Sequence, residues 1–170
     1  MKFNPFPILE TERLLLRELN VNDAKSFYQL NLDKEVMKYT GEVAFKDIEE
    51  SKKFLENYDQ YKKYGIGRWA VINKENEEFL GWCGLKFTEN LNEYDIGFRF
   101  FRKHWNKGYA TESAKACVNF GLNKFKITEI IGRAMKDNKA SIKVLEKIGL
   151  MYDRDFDFEG SKGVIYKIKA

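Results

Sequence analysis

Short apolar runs between polar residues recur along the chain and predict β-strands. The first covers residues 13–17, and three more follow at 69–72, 79–87 and 94–101. Only short polar stretches separate the last three runs. Because such connections suit hairpins better than crossovers, they favour an antiparallel meander.

Apolar residues at helical spacing predict four helices. The first is capped by Asn22 or Asp23, and the others are expected at 47–65, 110–122 and 138–149. The second begins with a capping-box spacing, and the second and fourth end on a glycine. Their apolar faces hold these residues: Ala24, Phe27 and Tyr28; Phe54, Leu55, Tyr58 and Tyr61; Ala110, Ala114, Cys117, Val118 and Leu122; Val144, Leu145 and Ile148.

The last third of the chain continues the alternation of strands and helices. Residues 127–134 are expected to form a strand, and the tail around 156–168 alternates as a hairpin does. The resulting order, β-α-α-β-β-β-α-β-α-β-β, predicts an α/β (α+β) fold with a mixed sheet covered by helices. No linker rich in proline, glycine or serine divides the chain, so we expect a single domain over 1–170.

Composition excludes several classes of function. Cys83, Cys117 and the single histidine, His104, show no metal-ligand spacing, so we expect no metal. The 30 basic and 26 acidic residues are interleaved, which describes a solvated surface and disfavours nucleic-acid binding. Apolar runs fall short of the roughly 20 residues that cross a bilayer, and residues 1–5 lack a signal-peptide stretch. Two free thiols suit a reducing compartment, so we expect a cytoplasmic protein.

The most informative segment is 102–112, where a strand runs into a helix. A helix start leaves N–H groups unpaired and carries roughly half a positive charge, and three basic residues lie close by. Gly108 lets the main chain approach a ligand, and Asn106 tolerates a left-handed φ better than most residues. The segment is a candidate phosphate cradle, although an ordinary strand-to-helix turn fits as well. The glycines of a dinucleotide-binding loop or P-loop are missing.

Three stretches, in order, resemble the GNAT superfamily of N-acetyltransferases. Residues 105–112, Trp-Asn-Lys-Gly-Tyr-Ala-Thr-Glu, resemble its coenzyme A signature, and residues 138–150 resemble its next block. Residues 11–17, Thr-Glu-Arg-Leu-Leu-Leu-Arg, resemble the opening strand of its branch that acetylates alanine or serine N-termini of ribosomal proteins. Asn106 departs from the family, which commonly has glycine there. The ordered set spans nearly the whole chain and is more specific than any one stretch.

The resemblance implies a fold and a site for acetyl-CoA. The fold is a mostly antiparallel sheet of six to seven strands flanked by about four helices, with parallel strands 94–101 and 127–134 splayed apart. The pantetheine arm would lie in the gap, near Asn138, and pair with the first strand around Arg99, Phe100 and Phe101. The pyrophosphate would meet the cradle residues, which are Asn106, Lys107, Gly108, Tyr109, Ala110 and Thr111.

Acetyl transfer needs a deprotonated amine, a polarised carbonyl and a proton for the thiolate. Asp95 is the candidate base, acting through water, with a surface carboxylate as the alternative interpretation. Asn138 would contact the cofactor arm, cap its helix, or do both. Ser141 is the candidate side chain near the sulfur, because Leu145 occupies the place where relatives often have a tyrosine acid. His104 is expected to pack in its loop or contact phosphate.

The sequence therefore predicts an enzyme that acetylates a primary amine, with a protein N-terminus such as that of a ribosomal protein as one acceptor. Polyamines and aminoglycosides stay open as acceptors, and a non-catalytic CoA-binding domain stays open as a function. The acceptor groove is expected from 45–64 and 153–162. Acidic residues in the second range could attract a cationic amine, although an exposed hairpin is the plainer explanation. Both a monomer and a homodimer remain open.

Overall fold

Eight strands and their covering helices form the part of the chain that the structure, a computed structural model, describes, residues 7–170. The strands are β1 (Leu9–Glu10), β2 (Leu14–Glu18), β3 (Arg68–Asn73), β4 (Phe79–Thr88), β5 (Glu93–Phe100), β6 (Glu129–Met135), β7 (Met151–Phe158) and β8 (Ser161–Lys169). The helices are α1 (Ala24–Leu30), α2 (Lys34–Met37), α3 (Ile48–Glu56), α4 (Gln60–Tyr64), α5 (Tyr109–Asn123) and α6 (Lys139–Lys147). The stretch 1–5, expected to lack a signal peptide, lies outside the described residues.

The strands form one mixed sheet in the order β1-β2-β3-β4-β5-β6-β8-β7. Every neighbouring pair is antiparallel except β5 and β6, which are parallel. The predicted mixed sheet, with its meander and C-terminal hairpin, is confirmed. Strand β1 was not predicted, so the sheet has eight strands where six to seven were expected. Its two residues are too few to show a periodicity.

Two helices differ from the prediction. The segment 47–65 is divided into α3 and α4, with Asn57 at the C-cap of α3 and Gly65 at the C-cap of α4. Asp47 caps α3 by accepting a hydrogen bond from the N–H of Glu50 at 2.8 Å, as the sequence predicts. The short helix α2, capped by Asp33, was missed because its four residues carry no apolar period.

Helices cover the two faces of the sheet in different ways. On one face, which we call the α5 face, α5 packs on β2, β4 and β5 over the largest apolar cluster. Cys83 of β4 and Cys117 of α5 lie fully buried there as free thiols. On the other, which we call the α3 face, α1 and α3 cover a smaller cluster around Phe27, Leu55 and Ala70. No helix within residues 7–170 has the length and apolar character needed to cross a membrane.

The parallel strands β5 and β6 separate along their length. β5 pairs with β4 at every residue from Glu93 to Phe100, but it is in register with β6 only at Asp95 and Ile131. Beyond Asp95 the edge of β5 that faces β6 is therefore unpaired. The predicted splayed pair is confirmed, and the gap opens toward the start of α5.

Candidate active site

The unpaired edge of β5 forms one wall of the gap. Alternate residues of a strand turn their main-chain groups to opposite sides, and the N–H of Phe101 donates to the Leu80 carbonyl of β4 at 3.0 Å. Because β4 and β5 pair without a register shift, the main-chain groups of Arg99 also face β4, whereas those of Phe98 and Phe100 face the gap. The Phe100 carbonyl accepts the indole N–H of Trp105 at 3.0 Å. Phe98 was missed at the sequence level, although alternation from Phe100 would have found it.

The segment predicted to form a phosphate cradle has the backbone of one. Asn106 and Gly108 both take left-handed φ angles, 60° and 80°. Gly108 is the N-cap of α5, and its carbonyl accepts the first helical hydrogen bond, from the N–H of Glu112 at 3.0 Å. Within residues 7–170 the main-chain N–H groups of 106–111 donate no hydrogen bond. These six donors, at the positive end of a 15-residue helix, form an anion-binding turn.

Three basic side chains lie around the cradle, and they differ in whether an acidic side chain already pairs with them. Arg102 pairs with Asp33 at 3.1 Å, and Lys103 pairs with Glu78. Lys107 is exposed and makes no ion pair within the described chain, so it remains available to a phosphate.

His104 packs inside the loop that precedes the cradle. Its ring is 8% exposed, lies edge-on to Tyr109, and places Nε2 3.2 Å from a carboxylate oxygen of Glu78. Burial lowers the pKa of His104, although Glu78 opposes the change. The position agrees with the predicted packing role.

Asp95, the candidate base, lies where β5 and β6 separate and is bound to a half-buried arginine. Arg68 of β3 donates one guanidinium nitrogen to the Asp95 carboxylate and another to the Asp95 and Gly84 carbonyls. Burial opposes the charge of Arg68, but Asp95 more than offsets it and raises the pKa of the guanidinium. Gly97 makes this possible, because a Cβ there would lie 2.7 Å from the Arg68 guanidinium. The carboxylate is 15% exposed, so the surface interpretation does not describe it.

A second arginine connects β5 to the helices of the α3 face. Arg99, 10% exposed, donates to the Asn31 side chain at 2.8 Å and to the Glu42 carboxylate at 3.0 Å. Trp82 lies between the two guanidinium groups, with ring centroid distances of 5.2 Å to Arg99 and 5.5 Å to Arg68. The indole Nε1 of Trp82 is buried and has no partner within the described residues. Such a group is costly unless a bound molecule or water accepts from it.

Glu42 belongs to the loop between α2 and α3, which reaches across the α3 face. Its carboxylate is 60% exposed, and a Cβ at the neighbouring Gly41 would lie 3.9 Å from Met135 at the end of β6. The loop therefore runs from β5 to β6 across the mouth of the gap. Arg68 and Glu42 were not predicted, because no local motif marks them. Arg99 was predicted to pair with the pantetheine arm, but its main-chain groups face β4 and its side chain binds Asn31 and Glu42.

The block after β6 places two predicted residues at the start of α6. Asn138 is its N-cap, and its side chain accepts from the N–H of Ser141 at 3.3 Å. Ser141 is partly exposed, and its hydroxyl makes no hydrogen bond among residues 7–170. Leu145 is 2% exposed and packs against Gly132, which fits the expectation that no tyrosine acid stands there. The capping role of Asn138 is thus present.

The acidic residues of the hairpin β7–β8 serve contacts of the hairpin itself. Asp153 pairs with Lys167 at 2.8 Å and with Arg154, and these contacts lower the pKa of the Asp153 carboxyl. Asp157 accepts the N–H of Gly160 at 2.7 Å to close the turn. An exposed hairpin is therefore the better description of these residues. Within 7–170, His, Cys, Asp and Glu side chains form no cluster of three or more suited to a metal ion.

Comparison with known proteins identifies the family. Residues 13–151 match the acetyltransferase (GNAT) domain. The Bacillus subtilis protein YkkB is 35% identical over 166 residues, 95% of either chain. The N-acetyltransferase p20 of Bacillus licheniformis is 30% identical over 158 residues, which cover 91% of this chain and 89% of that one.

Solved structures share the fold. A GNAT-family acetyltransferase from Bacillus anthracis has a TM-score of 0.82 at 29% identity, over 95% of this chain and 97% of that one. Two others contain coenzyme A. A Vibrio cholerae spermidine N-acetyltransferase with spermine has a TM-score of 0.78 at 16% identity, over 94% and 96% of the chains. A ribosomal L7/L12 alpha-N-protein acetyltransferase has a TM-score of 0.82 at 15% identity, over 96% and 97%.

The comparisons agree with the three resemblances in the sequence, which fall within or beside the matched residues. The chain belongs to the GNAT family and is an acetyl-CoA-dependent N-acetyltransferase.

Proposed function

We propose that the enzyme acetylates the primary amine of a protein N-terminus, with the donor bound between β5, β6 and the start of α5. The observation that carries the donor site is the row of six unpaired N–H groups at 106–111, next to the unpaired edge of β5. The N–H groups would hold the pyrophosphate, with Lys107 as the free cation beside them. The main-chain groups of Phe98 and the N–H of Phe100 would pair with the pantetheine amides.

Asp95 is proposed to take the proton from the amine. It lies at the last residue pair that joins β5 to β6, which is where a thioester between the strands would end. Arg68 occupies one carboxylate oxygen, which leaves the other to hold a water that contacts the amine. The amine nitrogen then attacks the thioester carbon, the C–N bond forms and the C–S bond breaks. The proton from nitrogen passes through water to Asp95.

Water is proposed to protonate the departing thiolate, either directly or through the Ser141 hydroxyl, which takes a proton from that water as it gives its own to sulfur. The hydroxide left behind then takes up the proton held by Asp95. The Ser141 hydroxyl has no internal partner in the described chain, and the Asn138 cap fixes the helix that carries it. A free hydroxyl at the start of a helix can donate to a thiolate while the helix dipole stabilises the negative charge. Asn138 could serve the cofactor arm with the donors of its side-chain amide or with the second lone pair of its oxygen, since the N–H of Ser141 uses only one.

The acceptor would approach from the α3 face. The exposed group there is the carboxylate of Glu42, which also pairs with the largely buried guanidinium of Arg99. An N-terminal residue carries an ammonium, which matches this carboxylate. The opening strand 11–17, with its resemblance to the ribosomal-protein branch, supports the same acceptor. The polyamine acceptor of the spermidine enzyme is the alternative that a test must separate.

The test measures thiol release from acetyl-CoA with purified protein and an acceptor panel. The panel contains peptides with free alanine or serine N-termini, the same peptides with blocked N-termini, spermidine and an aminoglycoside. We expect turnover with free N-termini and none with the blocked peptides. Preference for spermidine or the aminoglycoside would overturn the N-terminal acceptor. Tight acetyl-CoA binding with no thiol release from any amine would instead favour a CoA-binding role.

A further inference from the structure

The Thr11-Glu12-Arg13 segment lies against the outside of the cradle. Arg13 donates through Nη1 to the carbonyl of Lys107 at 2.8 Å. Its guanidinium stacks on the Tyr109 ring at 4.5 Å, and a Cβ on Gly108 would lie 3.2 Å from Arg13 Nη2. The connection between β1 and β2 is thus in contact with three successive residues of the turn that starts α5.

Glu112, one turn into α5, joins the same contact. Its carboxylate accepts from Arg13 Nε at 2.7 Å, from the Arg13 N–H at 3.0 Å and from the Thr11 hydroxyl at 2.6 Å. Burial opposes ionisation of Glu112, but the hydrogen bonds from Thr11 and Arg13 outweigh it and lower the pKa of the carboxyl. The Glu112 carboxylate is therefore ionised, and Arg13 balances its charge beside the helix start that is proposed to accept an anion.

The contact with Lys107 fixes the direction of a donor in the cradle. In a trans peptide the carbonyl and the following N–H point in opposite directions, and no cis peptide bond occurs among residues 7–170. Because Arg13 holds the Lys107 carbonyl outward, the N–H of Gly108 points away from Arg13, to the inner side of the turn. A glycine with φ of 80° would otherwise be free to rotate this peptide.

We infer that Arg13, with Thr11 and Glu112, is a positioning unit for the pyrophosphate of the donor. The inference rests on the proposed donor site. Arg13 aims the Gly108 N–H before the cofactor arrives and cancels the charge of Glu112, which would otherwise repel phosphate. It touches no reacting atom. The Thr-Glu-Arg stretch at 11–13 and the Tyr-Ala-Thr-Glu stretch at 109–112 are far apart in the sequence, but they form one contact in the structure.

The experiment compares acetyl-CoA with S-acetyl-pantetheine, a donor without pyrophosphate, in Arg13→Met, Arg13→Lys and wild-type enzyme. For Arg13→Met we expect a KM for acetyl-CoA about tenfold higher, with kcat within about twofold. The KM for S-acetyl-pantetheine is expected to stay the same. Arg13→Lys keeps the charge but cannot reach Lys107 and Glu112 together, so we expect an intermediate KM.

Lys124→Met is the matched control, since Lys124 stacks on Phe120 at 5.3 Å at the opposite end of the same helix. Its KM for both donors is expected to equal that of the wild type. An Arg13→Lys or Arg13→Met enzyme with wild-type KM for acetyl-CoA would overturn the inference, and so would equal losses with both donors. If wild-type enzyme fails to bind acetyl-CoA by calorimetry, the proposed donor site itself is wrong. Should Arg13→Met fail to fold, the KM values of Arg13→Lys and Glu112→Gln for the two donors take its place in the test.

Discussion

The proposed donor half and the proposed acceptor half of the site would recognise their ligands by different means. The donor half presents main-chain N–H groups from six consecutive residues, set by two left-handed φ angles and a helix start. The acceptor half presents side chains from β3, β4, β5, the end of α1 and the loop after α2. A main-chain site is encoded within a few residues and is the same in many proteins. A side-chain site assembled from distant segments can change acceptor without changing the fold.

The largest expected effect breaks the donor half alone. Gly108→Asp puts a side chain at a φ of 80°, with its Cβ 3.2 Å from Arg13 Nη2, so its carboxylate would draw Arg13 from the Lys107 carbonyl and add a negative charge beside the cradle. We expect affinity for acetyl-CoA, measured by calorimetry, to fall at least about 100-fold. Gly160→Asp is the control, because Gly160 has a φ of 98° in the β7–β8 turn with nothing near its Cβ. Near-normal affinity of Gly108→Asp would eliminate the cradle.

Asp95→Asn tests the point where the two halves meet. The amide cannot take the proton of the amine, so we expect kcat at neutral pH to fall about 100-fold, with acetyl-CoA affinity unchanged. Glu93→Gln is the matched control, since Glu93 lies two residues earlier on the same strand and pairs with Arg133. Thermal unfolding of both variants shows whether a lower kcat reflects lost proton transfer or a fold destabilised by the loss of the Arg68 partner. Unchanged turnover would remove Asp95 from the mechanism.

Glu42→Gln tests the acceptor half. The exposed carboxylate would attract the ammonium of the acceptor, so its loss should raise KM for the amine about threefold and leave KM for acetyl-CoA unaffected. The effect should shrink as salt rises, because exposed charges are screened. Glu75→Gln, in the exposed turn after β3, provides the control. A rise in KM for acetyl-CoA instead would assign Glu42 to the donor half.

The smallest expected effect concerns the loop that holds the cradle in place. Because His104 is the single histidine, its imidazole proton signals in NMR report one titration, and burial should set the midpoint below 6.5. Glu78→Gln should lower the midpoint further, since Glu78 favours the charged ring. Below pH 6.5 the unfolded chain takes up a proton that the folded ring resists, so stability should decline as pH falls there. A midpoint above 6.5 would contradict the buried position.

Sequence reasoning succeeded where the signal was local. The positive φ of Asn106, the Asp47 cap and the hairpin at the end of the chain all depend on neighbouring residues. It failed where the partner is distant. The contact of Arg68 with Asp95 joins residues 27 apart, and that of Arg99 with Asn31 joins residues 68 apart. Neither pair has a spacing that periodicity can reveal.

The sequence by itself determined the family of the protein, the left-handed turn before α5 and most of the strand and helix order, although it missed β1, α2 and the division of 47–65. Periodicity, capping and the backbone freedom of glycine and asparagine act within a few residues, and the sequence states them directly. The tertiary structure alone decided that Asp95 is paired with Arg68, that Glu42 crosses the mouth of the gap, and that Arg13 supports the cradle. Those contacts exist because the sheet and the elements packed on it bring together segments that are far apart in the chain, and their energies depend on burial that only packing creates.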